Sequence, residues 1–337
     1  MVMIGRCAAR KAQWVGLAGL LGLVPVASAA DYQESAQVGE FVAEMTRDYG
    51  FASEQLLALF AQAERKQSIL DAISRPAEKV KLWKEYRPIF ITDSRIARGV
   101  DFWRQHAATL ARAEQEYGVP PQVIVSIIGV ETFYGGNTGS YRVIDALSTL
   151  AFDYPPRAPF FRQQLKEFLQ LSREEQVDPL SLKGSYAGAM GLPQFMPGSF
   201  RAYAVDFDND GHIDIWNNPV DAIGSVASYF KEHGWKAGQP VVSQAKVKGE
   251  LVDQGLTVGI EPVKTLGELR ALGWSSADPL LAAEQPVTAF RLDADSGPEY
   301  WLGLPNFYAI TRYNHSVMYA MAVHQLAEAL VDARGLN

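Results

Sequence analysis

Hydrophobic positions recur at three- and four-residue spacing along the first hundred residues, as in Phe41-Val42 with Met45 and Leu56-Leu57 with Phe60. That period places apolar side chains on one face of a helix. Ser53, just before Glu54-Gln55-Leu56-Leu57, reads as an N-cap. Trp103, Ala107, Leu110 and Ala111 carry a further stripe up to a break at Gly118. Pro120-Pro121 then opens a new element, because proline suits the first turn of a helix, and Gly135-Gly136 closes it. Between them Val123 to Val130 is apolar nearly all round, which predicts a buried central helix. Its Val and Ile content also suits a buried strand, but the run is long for one.

Pro155, Pro156 and Pro159 force a loop, after which Phe160-Phe161, Leu165 and Phe168-Leu169 return to the helical period. Gly184-Ser185-Tyr186-Ala187-Gly188-Ala189-Met190-Gly191 is no simple helix, since its glycines invite close backbone approach. Asn217-Asn218-Pro219 precedes another helical pattern through Ala222-Ile223, Val226-Ala227 and Phe230. From residue 236 to 303 the character changes: Val241-Val242, Leu256-Thr257-Val258 and Val287 to Leu292 read as short strands between turns. Tyr319 to Ala327 is a closing helix. The pattern predicts a mainly α protein of the α+β kind. It has an N-terminal helical region over 30–118, a helical core over 119–235, a small α+β insertion over 236–303, and a segment over 304–337 that returns to the core.

The first 29 residues stand apart. Arg6, Arg10 and Lys11 are followed by an apolar stretch from Trp14 to Val24 and then by Ala27-Ser28-Ala29. That order is the layout of a secretory signal peptide, and the apolar part is too short to span a membrane. An uncut N-terminal anchor is the alternative. The only cysteine, Cys7, precedes the apolar stretch, so it is not placed as a lipid-acceptor cysteine at a cleavage site. A mature chain without thiols must be held by its core, which 337 residues permit. Cleavage removes three positive charges and no acid, taking the formal charge from -7 to -10. That balance disfavours a nucleic-acid partner. The expected location is the periplasm, as a soluble protein.

One carboxylate is out of place. Glu131 ends the apolar run and, if the run is a helix, lies near its C-terminal end, where unpaired carbonyls oppose an anion. Desolvation adds to this, so the carboxyl is expected to stay protonated to unusually high pH, as a general acid requires. The competing reading is a structural glutamate paired with Arg157 or Arg312. There is no Gly-x-Ser-x-Gly elbow, His-Glu-x-x-His pair or phosphate loop. Carboxylate catalysis on a glycosidic bond remains, normally with two acids. Asp145 and Asp153 are the nearest others in sequence, and neither is singled out.

Asp206-Phe207-Asp208-Asn209-Asp210-Gly211-His212 places oxygens at positions one, three and five before a glycine, matching a calcium loop. His212 would offer its backbone carbonyl, and Asn217 stands where a bidentate glutamate is usual. The candidate ligands are Asp206, Asp208, Asp210, His212 and Asn217, with calcium as a structural ion over loop 206–217. An Asx-rich turn without metal is the alternative.

Taken in order, Glu131-Thr132-x-Tyr134-Gly135, Gly184 to Ser199, the calcium-like loop and Arg312-Tyr313-Asn314 resemble the lytic murein transglycosylase B family of bacterial cell-wall enzymes. The resemblance covers nearly all of the chain beyond the leader. It implies a lysozyme-like helical core and a single acid/base at Glu131. Ser185 would contact the N-acetyl group, with Gln194, Arg157, Tyr229, Tyr313 and Asn314 lining a glycan groove. The implied reaction cleaves the bond between N-acetylmuramic acid and N-acetylglucosamine in peptidoglycan and leaves a 1,6-anhydro sugar. No cofactor is needed for that chemistry, because the substrate's acetamido group replaces a second acid. The implied partner is the glycan strand, with other cell-wall enzymes the class of protein partner to consider. A hydrolytic muramidase and a non-catalytic peptidoglycan-binding protein are the other readings.

Overall fold

The computed structural model describes residues 32–74 and 81–335, so the leader reading and Cys7 lie outside the described residues. Two helical cores share the chain. Helices Ala36–Tyr49, Ser53–Phe60 and Gln67–Ile73 pack with Val143–Asp153 and Ala158–Glu174 through Phe41, Phe60, Ile69, Leu147, Phe161 and Leu165. Helices Trp83–Phe90, Asp93–Gln105 and Ala107–Tyr117 belong to a second core. They pack there with helices Pro121–Thr132, Pro219–Glu232 and Val317–Arg334. Among the described residues, the stretch over 30–118 is therefore helical throughout its regular elements but divides between both cores.

Helix Pro121–Thr132 is central, as its all-round apolar pattern predicts: every residue from Val123 to Val130 is buried. Its end differs from expectation. The helix stops at Thr132, before Gly135-Gly136, because Phe133 and Tyr134 turn left-handed at φ 53° and 58°. Such backbone is uncommon for bulky residues and must be held from outside. What holds it is a slot. A Cβ on Gly99 would lie 2.3 Å from the Tyr134 hydroxyl, and one on Gly129 would lie 2.6 Å from the Tyr134 ring. The ring thus sits flush against two backbones.

The insertion is a five-stranded antiparallel sheet in the order Lys264–Thr265, Pro286–Ala294, Gly297–Gly303, Val242–Val247 and Trp274–Ser276. One face, with Val287, Ala289 and Leu302, covers helix Leu266–Ala271; the other presents Phe290, Leu292 and Trp301 to the second helical core. Leu256-Thr257-Val258 is not a strand. Thr257 instead pairs locally with Ala289, its N–H donating to the carbonyl at 2.8 Å and its Oγ1 accepting the amide at 2.9 Å. No helix among the described residues is long and apolar enough to cross a membrane.

Candidate active site

Glu131 lies in the last turn of helix Pro121–Thr132. Its Oε1 accepts a hydrogen bond of 2.5 Å from the Tyr319 hydroxyl, carried in by the first turn of helix Val317–Arg334. The residue keeps part of its surface open, yet its surroundings strip water from the carboxyl. That burial pushes its pKa up to about 7, against the smaller opposing effect of the Tyr319 bond. Burial likewise holds the Tyr319 and Tyr313 phenols well above the ordinary value, with the Glu131 charge adding to it. Tyr86 is raised by the same pair of causes. The three phenols therefore stay protonated and add no negative charge beside the carboxyl.

No cation pairs with Glu131 among the described residues. Arg157 stacks instead over Phe160 and Phe161, at 4.6 and 5.1 Å, and Arg312 lies 5.8 Å from the Tyr308 ring centre. The two nearest acids in sequence are committed elsewhere. Asp145 is buried, bonded by Arg142 at 2.8 Å and by the Glu64 N–H at 2.9 Å. Asp153 accepts from Tyr32 and Arg65 at 2.9 and 3.2 Å. Both therefore serve the packing of the N-terminal helices.

The glycine block is stitched to this helix end. Gly191, at φ +66°, passes so close that a Cβ would sit 2.4 Å from the Ile215 carbonyl. The next three residues are each tied down. Thr132 Oγ1 donates to the Leu192 carbonyl at 3.0 Å, and Tyr313 donates to the Pro193 carbonyl at 2.6 Å. Gln194 Nε2 donates to the carbonyls of Thr138 and Gly191 at 3.1 and 2.9 Å. With its amide protons spent, Gln194 offers a group outside only its oxygen. Ser185 Oγ accepts from the Ala187 and Ala189 amides at 3.3 and 3.0 Å, so its own proton is the free end.

The remaining sequence candidates divide. Tyr229 is 7% exposed, donates to the Arg312 carbonyl at 2.7 Å, and packs against His233, Tyr203 and Tyr313, which makes it a wall behind Tyr313. Asn314 is exposed and ends helix Pro305–Tyr313. Arg157 is exposed on the short 3-10 turn Pro155–Arg157, where its observed contacts are aromatic.

Sequence reasoning missed Tyr319, Tyr86 and Arg95. Tyr319 carried a signal: a phenol in an otherwise Ala, Met and Val run needs a partner once buried. Arg95 is half-buried between the rings of Phe90 and Phe133, at 5.3 and 5.2 Å. Its Nε donates to the Gly129 carbonyl at 3.1 Å and its Nη1 to the Ile89 carbonyl at 2.5 Å. It thus ties the helix end bearing Glu131 to the helix bearing Tyr86.

In the acidic loop, carboxylate oxygens of Asp206, Asp208 and Asp210 come within 4.8 Å of one another, a spacing and an all-oxygen chemistry that suit a calcium ion. The turn is preformed: Gly211 N–H donates to Asp206 at 2.8 Å and His212 N–H to Asp210 at 2.9 Å. Asn217 is turned toward Asp214, its Nδ2 donating at 3.2 Å. Buried Asp221 anchors both flanks by accepting from the Phe207 and Asp214 amides at 2.7 and 2.8 Å.

The transglycosylase SLT domain family matches residues 33–328, which takes in Glu131, Tyr319 and the other site residues. The chain belongs to that family. Membrane-bound lytic murein transglycosylase B of Escherichia coli is 47% identical over 313 residues, covering 90% of this chain and 85% of the relative. Among solved structures, catenated lytic transglycosylase SltB1 from Pseudomonas aeruginosa has a TM-score of 0.89 at 70% identity, covering 90% of this chain and 100% of that one. The Escherichia coli lytic transglycosylase Slt35 in complex with calcium has a TM-score of 0.84 at 46% identity, covering 91% and 96%. The lysozyme-like helical fold expected from the resemblance is the fold of this family's enzymes.

Proposed function

We propose that the protein cleaves the β-1,4 bond between N-acetylmuramic acid and N-acetylglucosamine in peptidoglycan, with Glu131 as the single acid and base. The observation that carries this is a desolvated carboxyl, its pKa pushed to about 7, with one phenolic donor and no paired cation among the described residues. Protonated Glu131 gives its proton to the leaving glycosidic oxygen as the bond to the anomeric carbon breaks. The substrate's 2-acetamido oxygen stabilises the cationic carbon, a substrate-assisted route that removes the need for a second acid. Glu131, now anionic, takes the proton of the 6-hydroxyl as that oxygen bonds to the anomeric carbon. The products are a 1,6-anhydro sugar and a free 4-hydroxyl, and Glu131 ends protonated as it began.

Ser185 and Gln194 offer one free proton and one free oxygen, the complements of an acetamide's carbonyl and N–H, and would orient that group. Tyr313 and Tyr229 support the wall behind it, and Asn314 and Arg157 would contact the strand from its exposed side. The aromatic surround disfavours water, which a ring-closing attack must outcompete. Hydrolysis would need a second acid or a held water, and Asp145 and Asp153 are already occupied.

The leader supports export to the periplasm, where peptidoglycan lies. Loop 206–217 would hold calcium through Asp206, Asp208 and Asp210, with the His212 carbonyl and Asn217 completing the set after Asn217 turns from Asp214. The ion would brace the loop and take no part in proton transfer. Cleavage of purified peptidoglycan by the wild-type protein and by Glu131→Gln tests the proposal: products bearing the anhydro end should appear only with the former.

A further inference from the structure

Residues 133–140 join helix Pro121–Thr132, which carries Glu131, to strand Tyr141–Arg142 and the helix Val143–Asp153 beyond it. They cross from the second helical core to the first. The segment is fastened at the Glu131 end: the Gly135 N–H donates to Thr132 Oγ1 at 3.0 Å and the Asn137 N–H to the Thr132 carbonyl at 2.9 Å. Its other end is fastened to the strand before Ser185, where Tyr141 pairs with Gly184 and Arg142 with Lys183. Between those ends it touches both residues proposed to hold the acetamido group. The Thr138 carbonyl accepts from Gln194 Nε2 at 3.1 Å. Gly139, at φ +95°, lies against the peptide before Ser185: a Cβ there would overlap the Gly184 carbonyl and lie 2.5 Å from the Ser185 nitrogen. That peptide is hemmed in again by Ala189, whose carbonyl a Cβ on Gly184 would overlap and which accepts the Ser185 N–H at 2.8 Å. Backbone lies on backbone there, with no side chain between to yield.

We propose that the loop over 135–140 is a spacer that fixes the proton donor relative to the acetamide-binding pair, with Gly139 as the positioning residue for Ser185 and the Thr138 carbonyl setting which way Gln194 faces. The inference rests on the reading of Glu131 as the acid and of Ser185 and Gln194 as the acetamide's contacts. In that reaction the leaving oxygen and the 2-acetamido group sit on adjacent carbons of one sugar ring. The donor and the acetamide-binding pair must therefore keep one separation if both are to act at once. The helix end and the strand before Ser185 reach the site from different cores, and a connection of fixed length bonded at both ends holds them to one separation. The Thr132 Oγ1 bond to the Leu192 carbonyl closes the frame from the other direction.

Two variants test it. Gly139→Ala should lower kcat roughly 100-fold on purified peptidoglycan, the cost of about 1 Å of misplacement. The alkaline limb of its pH–rate profile should stay near pH 7, because Glu131 keeps its burial. One glycine inserted between Gly136 and Asn137, both exposed, lengthens the loop without forcing a clash. It should give the same loss and the same limb, and it decides the matter if Gly139→Ala folds poorly. A folded variant with wild-type kcat overturns the spacer. So does a loss in which the limb falls toward ordinary carboxylate values, since the loop would then only shield Glu131 from water. Absence of anhydro product from wild type would instead overturn the parent reading. The loop is then decided by calorimetry with the tetramer of N-acetylglucosamine, which should bind Glu131→Gln protein roughly tenfold more tightly than the same protein carrying the insertion. Equal affinity, or binding to neither, overturns the spacer.

Discussion

The Tyr319 hydroxyl lies 2.5 Å from Glu131 Oε1, and it is the one hydrogen bond to that carboxyl among the described residues. It opposes the effect of burial on the Glu131 pKa. Removing it in Tyr319→Phe should therefore raise the pKa further. Activity needs the protonated acid first, so the alkaline limb of the pH–rate profile should move up from near pH 7, by roughly one unit for a bond worth about 1.5 kcal/mol. A pH–kcat/KM profile of the variant checks this. A limb that stays or moves down would show that Tyr319 does not act on the proton.

Burial of Glu131 also sets a pH dependence of stability. Its folded pKa is raised from 4.5 to about 7, so the native state holds a proton that the unfolded chain releases earlier. Native protein then binds more protons between those values, and stability falls as pH rises through that window. At pH 8 the cost is up to about 3 kcal/mol. Glu131→Gln should remove it. The variant should melt above wild type at pH 8 and show little difference at pH 4, as read by paired thermal melts.

Arg95 acts on Glu131 only through the helix end it clamps. Arg95→Met keeps the stem between Phe90 and Phe133 but loses both bonds to the Gly129 and Ile89 carbonyls. Misplacement of the acid by about 1 Å costs on the order of 100-fold in turnover. The expected result is a kcat loss of roughly 10- to 100-fold with KM nearly unchanged, measured well below the melting temperature. Partial rescue by added guanidinium in Arg95→Ala would separate positioning from a general loss of stability.

Calcium should stabilise the folded protein by mass action. Chelation is expected to lower the melting temperature, and added calcium to restore it, with Asp208→Asn blunting the response. Melting that ignores both chelator and ion would show that the loop holds no stabilising calcium.

Much of this was legible in the sequence because it depended on local pattern. Pro120-Pro121 and the apolar run from Val123 to Val130 specify a buried helix ending near a carboxylate, and the structure holds that helix. What escaped depended on distant partners. The helix stops at Thr132 because Gly99 and Gly129 open a slot for Tyr134, a relationship no local signal contains. Tyr319 reaches Glu131 across 188 positions. Leu256-Thr257-Val258 has strand composition, but Thr257 spends its Oγ1 on the Ala289 amide, so the segment joins the sheet as a loop. Asp145 reads as an available acid until Arg142 and the Glu64 amide are seen to hold it.

In the proposed reaction one carboxyl performs both proton transfers and the substrate closes on itself. Mass spectrometry of products from purified peptidoglycan tests this most directly. Wild type should give fragments lighter by one water than hydrolysis products, carrying no reducing end, and Glu131→Gln should give none above background. Reducing-end products from wild type, or anhydro products from Glu131→Gln at a comparable rate, would contradict it.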